Sequence, residues 1–572
     1  MLDIALYLLA VVSSTGSAAR ATASARQLTS PLGPVVDLGY VAYAGNTTSP
    51  AGAANGPVAF YGNIRYAQPP LGNLRWRAPA ALDERPTTLS DDEVLDARDW
   101  GPACIQRPAV VGIGSEGECA HCLTLNVWKP TNAAAGAGLP VAVYIHGGGF
   151  YFGTPQGFPL YDWVAQNSAG IVGVSITYRL NMLGFLGGAA VAADGALNAG
   201  LLDQRAGLEW VQRHIAQFGG DPGNVTIYGE SAGGASVVMQ AVAFGGAKPL
   251  PFKRVTAQSI GFGPTNTEQQ TQAFFGDAAG FIGCPASGSD SMPCMRRASV
   301  GALVSAINRI PNGAFAPVIE GPAGFLPDLP SRLIAAGRFT DVEFVGGHCT
   351  GDGKTFAGGT PDDFQTDEDI RRIVFSRWPG VSNATIDRAL AVYPAANTTG
   401  SPFATQWDRA STMAGEIIFT CMDWFFADKL TSNGVKNVFA FSWNAPDTVL
   451  FNQAPFRGAA HTSDLYYLFD GMRTIANAGN TFTPFNTSES TLSKEAIAYW
   501  TSFAVAGDPS TGKEAASIAW EPFSAPGSVR RHIVLTRGGN AATNTTMADT
   551  APDHIQRCRF WMGENVTAET RV

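Results

Sequence analysis

Residues 224–236 read Asn-Val-Thr-Ile-Tyr-Gly-Glu-Ser-Ala-Gly-Gly-Ala-Ser. A β-branched run ends in Gly229-Glu230-Ser231-Ala232-Gly233, and a helix-like stretch follows. A serine on a tight turn between strand and helix is presented away from the backbone, where it can act as a nucleophile. The small residues at 229 and 233 allow that turn to close, and a helix beginning at Ala232 aims free N–H groups beside the hydroxyl. The pattern alone is weak evidence. With 65 glycines in 572 residues, roughly half a G-x-S-x-G match is expected by chance. The rest of the chain has to supply the context.

Part of that context is a repeated alternation. Val141–Ile145, Ile171–Thr177, Val225–Tyr228, Val342–Gly346 and Val438–Ser442 are short and apolar on both faces, as central parallel strands are. Helix-like stretches lie between them, such as Asp203–Gln217 with an apolar face at Leu208, Val211 and Ile215. This order predicts an α/β fold built on a large, mostly parallel sheet covered on both faces. No internal repeat is present. The Gly/Pro/Ser-rich stretches 131–139, 285–293 and 311–330 read as loops, too short for interdomain linkers. One domain from residue 30 to 572 is expected.

Charged residues make up only 15% of the chain and the net charge is −9. That balance, without any Lys/Arg run, argues against a nucleic-acid partner. Ile4–Val12 is apolar but too short to span a bilayer, and Ser17-Ala18-Ala19 follows it, so residues 1–19 read as a secretory signal. No later apolar run approaches a membrane span. Seven N-x-[ST] sequons, at Asn46, Asn224, Asn383, Asn397, Asn486, Asn544 and Asn565, fit an exported glycoprotein. Asn224, beside the nucleophile strand, is expected to be the least occupied. Eight cysteines in such a chain point to disulfides. Cys119-Ala120-His121-Cys122 has no matching pair at zinc spacing, so no metal site is expected.

A serine nucleophile needs a base, a group to orient it, and oxyanion donors. Pro140–Ile145 is a strand that runs into His146-Gly147-Gly148-Gly149-Phe150, and residues without Cβ atoms can bring successive N–H groups close to a carbonyl. Gly148, Gly149 and Ala232 are the candidate oxyanion donors.

These motifs resemble the type-B carboxylesterase/lipase (cholinesterase-like) family of α/β-hydrolases. The matching segments are HGGGF, Asn198–Arg205, the segment Phe218–Ser236, Tyr66–Arg75 and Gln258-Ser259, spread over roughly residues 35 to 565. The resemblance implies a mixed sheet of eight or more strands, no cofactor, and ester hydrolysis through an acyl-enzyme. It points to His461, in Gly458–Tyr466, as the base rather than His532 or His554. It places the acid at Asp352 in Val345–Gly353, where Gly351 stands for the family's first acidic residue and Cys349 for its Asn. Glu320 is the weaker stand-in. Asp in place of Glu shortens the arm by one methylene, so this loop has to approach His461 more closely. The order Ser231, Asp352, His461 is the one that this fold requires. Glu230 is expected to tune the field at the site or to pack beside it, and Ser259 to support the nucleophile.

By the same resemblance Cys104–Cys122 and Cys284–Cys294 close small loops and Cys421–Cys558 ties down the C-terminus, with Cys119 a competitor for Cys104 and Cys349 left over. A family ion pair at Arg75 is in doubt, whereas Arg179–Asp203 remains available. Ile105 to His121 is short and holds no aromatic residue, which argues against a choline site and against a lid-activated lipase. The expected activity is that of a secreted serine carboxylesterase. Alternatives are a lipase acting on long-chain acylglycerols and a non-catalytic adhesion or binding homologue, although the latter typically lacks the nucleophile. The identity of the ester depends on loops near 283–340 and 360–415, which one sequence does not shape.

Overall fold

The computed structural model describes residues 28–49, 54, 56–107, 121–469, 483–524, 530–539 and 542–572. The signal segment 1–19, Cys119 and most of the Cys104–Cys122 loop lie outside these residues. Among the described residues an eleven-stranded sheet dominates. Its order from one edge is Thr546–Asp549, Arg531–Leu535, Val438–Trp443, Glu343–Cys349, Arg254–Gln258, Gly220–Glu230, Leu139–Ile145, Val172–Ile176, Thr124–Pro130, Val58–Arg65 and Asn46–Thr48. The seven strands from Arg531–Leu535 to Val172–Ile176 pair in parallel, and antiparallel strands flank them. This is the α/β-hydrolase fold.

The strand Leu139–Ile145 shows why its residues form a central strand. Val141, Val143 and Ile145 enter one hydrophobic cluster, while Ala142 and Tyr144 enter another on the opposite face. Both sides of the pleat are therefore apolar. The first face is covered by the helices Ala199–His214 and Ala232–Val242. The second is covered by Thr487–Ala506, through Leu492, Ala496, Ile497 and Trp500.

The helix expected over Asp203–Gln217 spans Ala199–His214 and ends in the 3₁₀ turn Ile215–Phe218. Its earlier start reflects Asn198, which takes a left-handed conformation and uses its side chain to bind Val318 and Glu320. Part of the stretch expected as loop at 285–293 is the start of a helix, Ser291–Arg297. Asn224 accepts a hydrogen bond from Arg254.

The disulfides Cys104–Cys122, Cys284–Cys294 and Cys421–Cys558 are all formed, and Cys349 is a buried free thiol. Arg179 and Asp203 make a buried two-pronged pair, with Nε to Oδ2 at 2.7 Å and Nη2 to Oδ1 at 2.6 Å. Removing one partner would strand a buried charge, at a cost of about 3–5 kcal/mol. Arg75 instead donates to the carbonyls of Arg296 and Ala298.

Candidate active site

Ser231 sits between the strand Gly220–Glu230 and the helix Ala232–Val242, at φ 58° and ψ −123°. A non-glycine residue held there stores about 1–3 kcal/mol of strain. Three contacts hold it: Ser231 N–H donates to Gln258 O at 3.0 Å, and Ser231 O accepts from Ala235 and Gly261. The flanking glycines are required by space. A Cβ on Gly229 would lie 2.4 Å from the Gly233 carbonyl group, and one on Gly233 would lie 2.2 Å from Ile145 O. Ser231 itself is half-buried, unlike its partners.

The glycine loop comes in against this elbow. A Cβ on Gly147 would meet Glu230 O at 2.5 Å and the Ser231 Cβ at 3.1 Å. Gly148 and Gly149 have φ of 105° and 59°. Among the described residues, no carbonyl accepts from the N–H of Gly148, Gly149 or Ala232.

His461 Nδ1 is 2.7 Å from Asp352 Oδ1, and its Nε2 is 3.2 Å from Glu230 Oε1. Asp352 also accepts from the Cys349 N–H at 3.2 Å. The rings of Phe356 and Phe419 pack on the imidazole at 4.9 and 4.7 Å. The close approach that a short aspartate needs is met through Gly351. Its N–H donates to Ala459 O at 2.8 Å, and it forms a parallel bridge with Ala460. A Cβ at 351 would lie 2.3 Å from Arg457 O and 2.6 Å from Ala459 O. The residue that replaces the family's acidic side chain is the one that lets the two loops touch.

Glu320 is remote in its bonding: it accepts from Asn198 and Phe325. His554 binds Glu416, and His348 binds Asp423. Ser259, also at positive φ, donates its N–H to Gly347 O, and its buried hydroxyl has no partner.

Two residues of the site have no counterpart among the sequence-derived candidates. Asp464, fully buried, accepts from Gln258 Nε2 at 2.5 Å and from the Cys349 thiol at 3.5 Å. Gln258 in turn accepts from Trp500 Nε1 at 3.0 Å. Since Gln258 O also holds Ser231 N–H, one residue links the elbow to the loop of His461. The signal was present as Gln258-Ser259 and as an aspartate three residues after His461, but their meeting needs the fold.

Three buried carboxyl groups thus surround one imidazole. Burial alone would depress the basicity of His461, but Glu230, then Asp352, then Asp464 overcome it and lift the pKa to about 9. Burial pushes the Glu230 carboxyl well above the usual range, with His461 pulling it back. Nε2 and Oε1 lie 3.2 Å apart without a hydrogen bond between them, so the two groups act on each other through charge and their titrations are linked. Burial likewise lifts Asp464 to about 6, against the pull of Gln258. It also pushes the Cys349 thiol far up, which makes that thiol an inert donor.

The sheet topology and this constellation define a hydrolase of the α/β class. The chain belongs to the carboxylesterase family, which it matches over residues 33–551. It is similar to lipase 1 of Geotrichum candidum, with 33% identity over 73% of this chain and 81% of that protein. A secreted lipase of Arthroderma benhamiae is 30% identical over 80% of this chain and 81% of that protein. The crystal structure of EstA from Aspergillus niger superposes with a TM-score of 0.80 at 27% identity, covering 94% of this chain and 99% of that one. The protein is a carboxylic ester hydrolase.

Proposed function

We propose that it is a secreted serine carboxylesterase that works through an acyl-enzyme, with Ser231 as nucleophile, His461 as base and Asp352 as the orienting acid. The observation that carries this reading is the His461 ring: Nδ1 is taken by Asp352, while Nε2 faces Glu230, the residue beside Ser231. His461 Nε2 takes the Ser231 proton as Oγ bonds to the ester carbonyl carbon. The carbonyl oxygen becomes an oxyanion, met by the N–H groups of Gly148, Gly149 and Ala232; such donors are worth ~3–4 kcal/mol each. His461 then returns the proton to the leaving alkoxide as the C–O bond breaks. Water repeats the sequence on the acyl-serine, its proton passing through His461 back to Ser231. Asp352 stabilises the imidazolium in each half.

Export is supported by the apolar N-terminal run, the sequons, the three disulfides and the secreted relative. Among the described residues no helix is long and apolar enough to cross a membrane. One domain from residue 30 onward is part of the same proposal.

A chain-length series of p-nitrophenyl esters on wild type and Ser231→Ala tests the chemistry, and hydrolysis that survives the substitution defeats it. The second reading is a lipase, favoured by the lipase names of the relatives. A rate jump above the solubility limit of the ester would select it, and flat kinetics would select the esterase.

A further inference from the structure

Two arginines that the proposed chemistry does not use stand at the edge of the active site. Arg377 ends the 3₁₀ turn Phe375–Arg377, inside the stretch 360–415 expected to shape the ester pocket. Its guanidinium carbon lies 5.1 Å from the centre of the Phe356 ring, and that ring packs edge to face with the His461 imidazole at 4.9 Å. One aromatic ring thus separates a cation from the base. Arg107 stands at the oxyanion loop. Its N–H donates to Tyr151 O at 2.9 Å, and its Nη1 donates to Ile307 O at 3.3 Å. Tyr151 in turn lies against the loop, since a Cβ on Gly149 would fall 2.6 Å from its Cε1.

Tyr151 joins the two arginines. Burial raises the pKa of its phenol, and the charges of Arg377 and then Arg107 pull it back, so both guanidinium groups act on one hydroxyl. Among the described residues neither arginine has an ion-pair partner, and the Tyr151 hydroxyl has no hydrogen bond. Burial lowers the basicity of Arg377, and no carboxylate restores it. Other arginines of the same stretch are matched: Arg371 pairs with Asp387, Arg372 with Asp369 and Arg409 with Asp367. A cation without a counter-charge gains most from an anion that arrives with the substrate.

The acids of the site do not supply that anion. Glu230, Asp352 and Asp464 are at most 2% exposed, whereas Arg377 reaches solvent and Arg107 and Tyr151 are half-buried. A charge entering from solvent therefore meets the cations first. Beside them the surface turns apolar, where Ile307, Ile310 and Phe315 line a small pocket together with Arg107 and Tyr151. Such a surface suits a short hydrocarbon chain that ends in a negative group.

We infer that the preferred substrate is an ester carrying a free carboxylate, an inference that rests on Ser231, His461 and Asp352 acting as proposed. Arg377 holds the carboxylate, and Tyr151 and Arg107 add to the positive field around it. The carboxylate belongs either to the acid part of the ester or to its alcohol part.

Two substrate pairs test this on the full chain. 4-Nitrophenyl hexanoate and the 4-nitrophenyl monoester of adipic acid share chain length and leaving group, with a methyl in one and a carboxylate in the other. 4-Carbamoylphenyl hexanoate and 4-carboxyphenyl hexanoate place the same change on the alcohol side. At low ionic strength one acidic ester should exceed its neutral counterpart roughly fivefold in kcat/KM, chiefly through KM. That ratio should fall toward one at roughly 0.5 M NaCl. Arg377→Gln should remove most of it, Arg377→Lys should keep part of it, and Arg107→Gln should lower it less. Each variant is its own control, so partial loss of folded enzyme does not move the ratio. Ratios at or below one in both pairs, or a ratio that Arg377→Gln leaves unchanged, would overturn the inference. If Ser231→Ala abolishes turnover of all four esters while the ratios stay at one, the catalytic reading stands and only the substrate class falls. Turnover that survives Ser231→Ala overturns the catalytic reading instead.

Discussion

The turn that carries Ser231 and the loop that carries Asp352 are both pinched by glycines, yet they are built in opposite ways. The elbow is strained in its own backbone. Ser231 is held at positive φ, and the crowding partners of Gly229 lie four residues away in the same strand–turn–helix unit. The acid loop has an ordinary backbone, with Gly351 at φ −105°, but it is pinned by distant segments. Gly351 lies against Arg457 and Ala459, and a Cβ on Gly353 would fall 1.8 Å from Ser411 O. Ser231 takes its strained conformation within its own turn and is braced by Gln258 and Gly261, whereas Asp352 has to meet a histidine 109 residues away and depends on distant loops throughout.

The largest expected effect tests the elbow. Ser231→Ala should lower kcat by roughly 10⁴–10⁶-fold with an unchanged melting temperature. A variant with even a hundredth of wild-type kcat would break the assignment. Asp352→Asn comes next, at roughly 10⁴-fold in kcat, because the imidazolium loses its counter-charge and the tautomer is no longer enforced. Retention of most activity would move the acid elsewhere.

Glycine substitutions sharpen the contrast. Gly233→Ala drives a methyl into Ile145 O within the central sheet and should cost about 3 kcal/mol of stability or more. Gly351→Ala meets the Arg457 and Ala459 carbonyls at 2.3 and 2.6 Å, outside the central sheet. It should cost less stability than Gly233→Ala but lower kcat by up to ~10²-fold as Asp352 is displaced from His461. Thermal melts beside kinetics distinguish the two, and equal losses of stability would erase the proposed difference.

This contrast also explains what the sequence could reveal. The elbow and the glycine strand end were legible because each depends on a short run of residues, whereas Asp352 and His461 were proposed only through the family's motifs. The parallel strands around Val141–Ile145 were legible because burial on both faces forces continuous apolarity. The strand Arg254–Gln258 escaped notice because it begins with a charge, which pairs with Glu343, and ends in a polar residue that bonds inward to Asp464. Asp464 was illegible for a different reason. Gln258 and Cys349, which bond to it, lie 206 and 115 residues away, and only the fold brings them together.

Acid should act on the scaffold. Burial lowers His146, His348 and His532 to about 4 each. Between pH 6.5 and about 4 the unfolded chain therefore binds more protons than the native one, so stability falls as pH drops through that window. The effect is up to ~3 kcal/mol per group. His461, raised to about 9, works the other way: its contribution is complete below pH 6.5 and fades as pH rises toward 9. Denaturant melts at several pH values should place the maximum near neutrality, and a plateau down to pH 4 would refute the buried neutral histidines.

The smallest effect concerns Glu230, which belongs to the elbow by sequence and to the acid cluster by contact. A base must be neutral to accept the Ser231 proton, so kcat/KM should rise with pH as His461 loses its proton. The Glu230 charge is the largest single attraction that holds the proton there, beside the charge and hydrogen bond of Asp352. Glu230→Gln removes that attraction but keeps the shape, so the rising limb should move to lower pH by about one unit, equivalent to ~1.4 kcal/mol. Activity on the acidic side should then increase relative to the plateau of the variant. A limb that stays in place would mean that Asp352 and Asp464 set the basicity of His461 without Glu230.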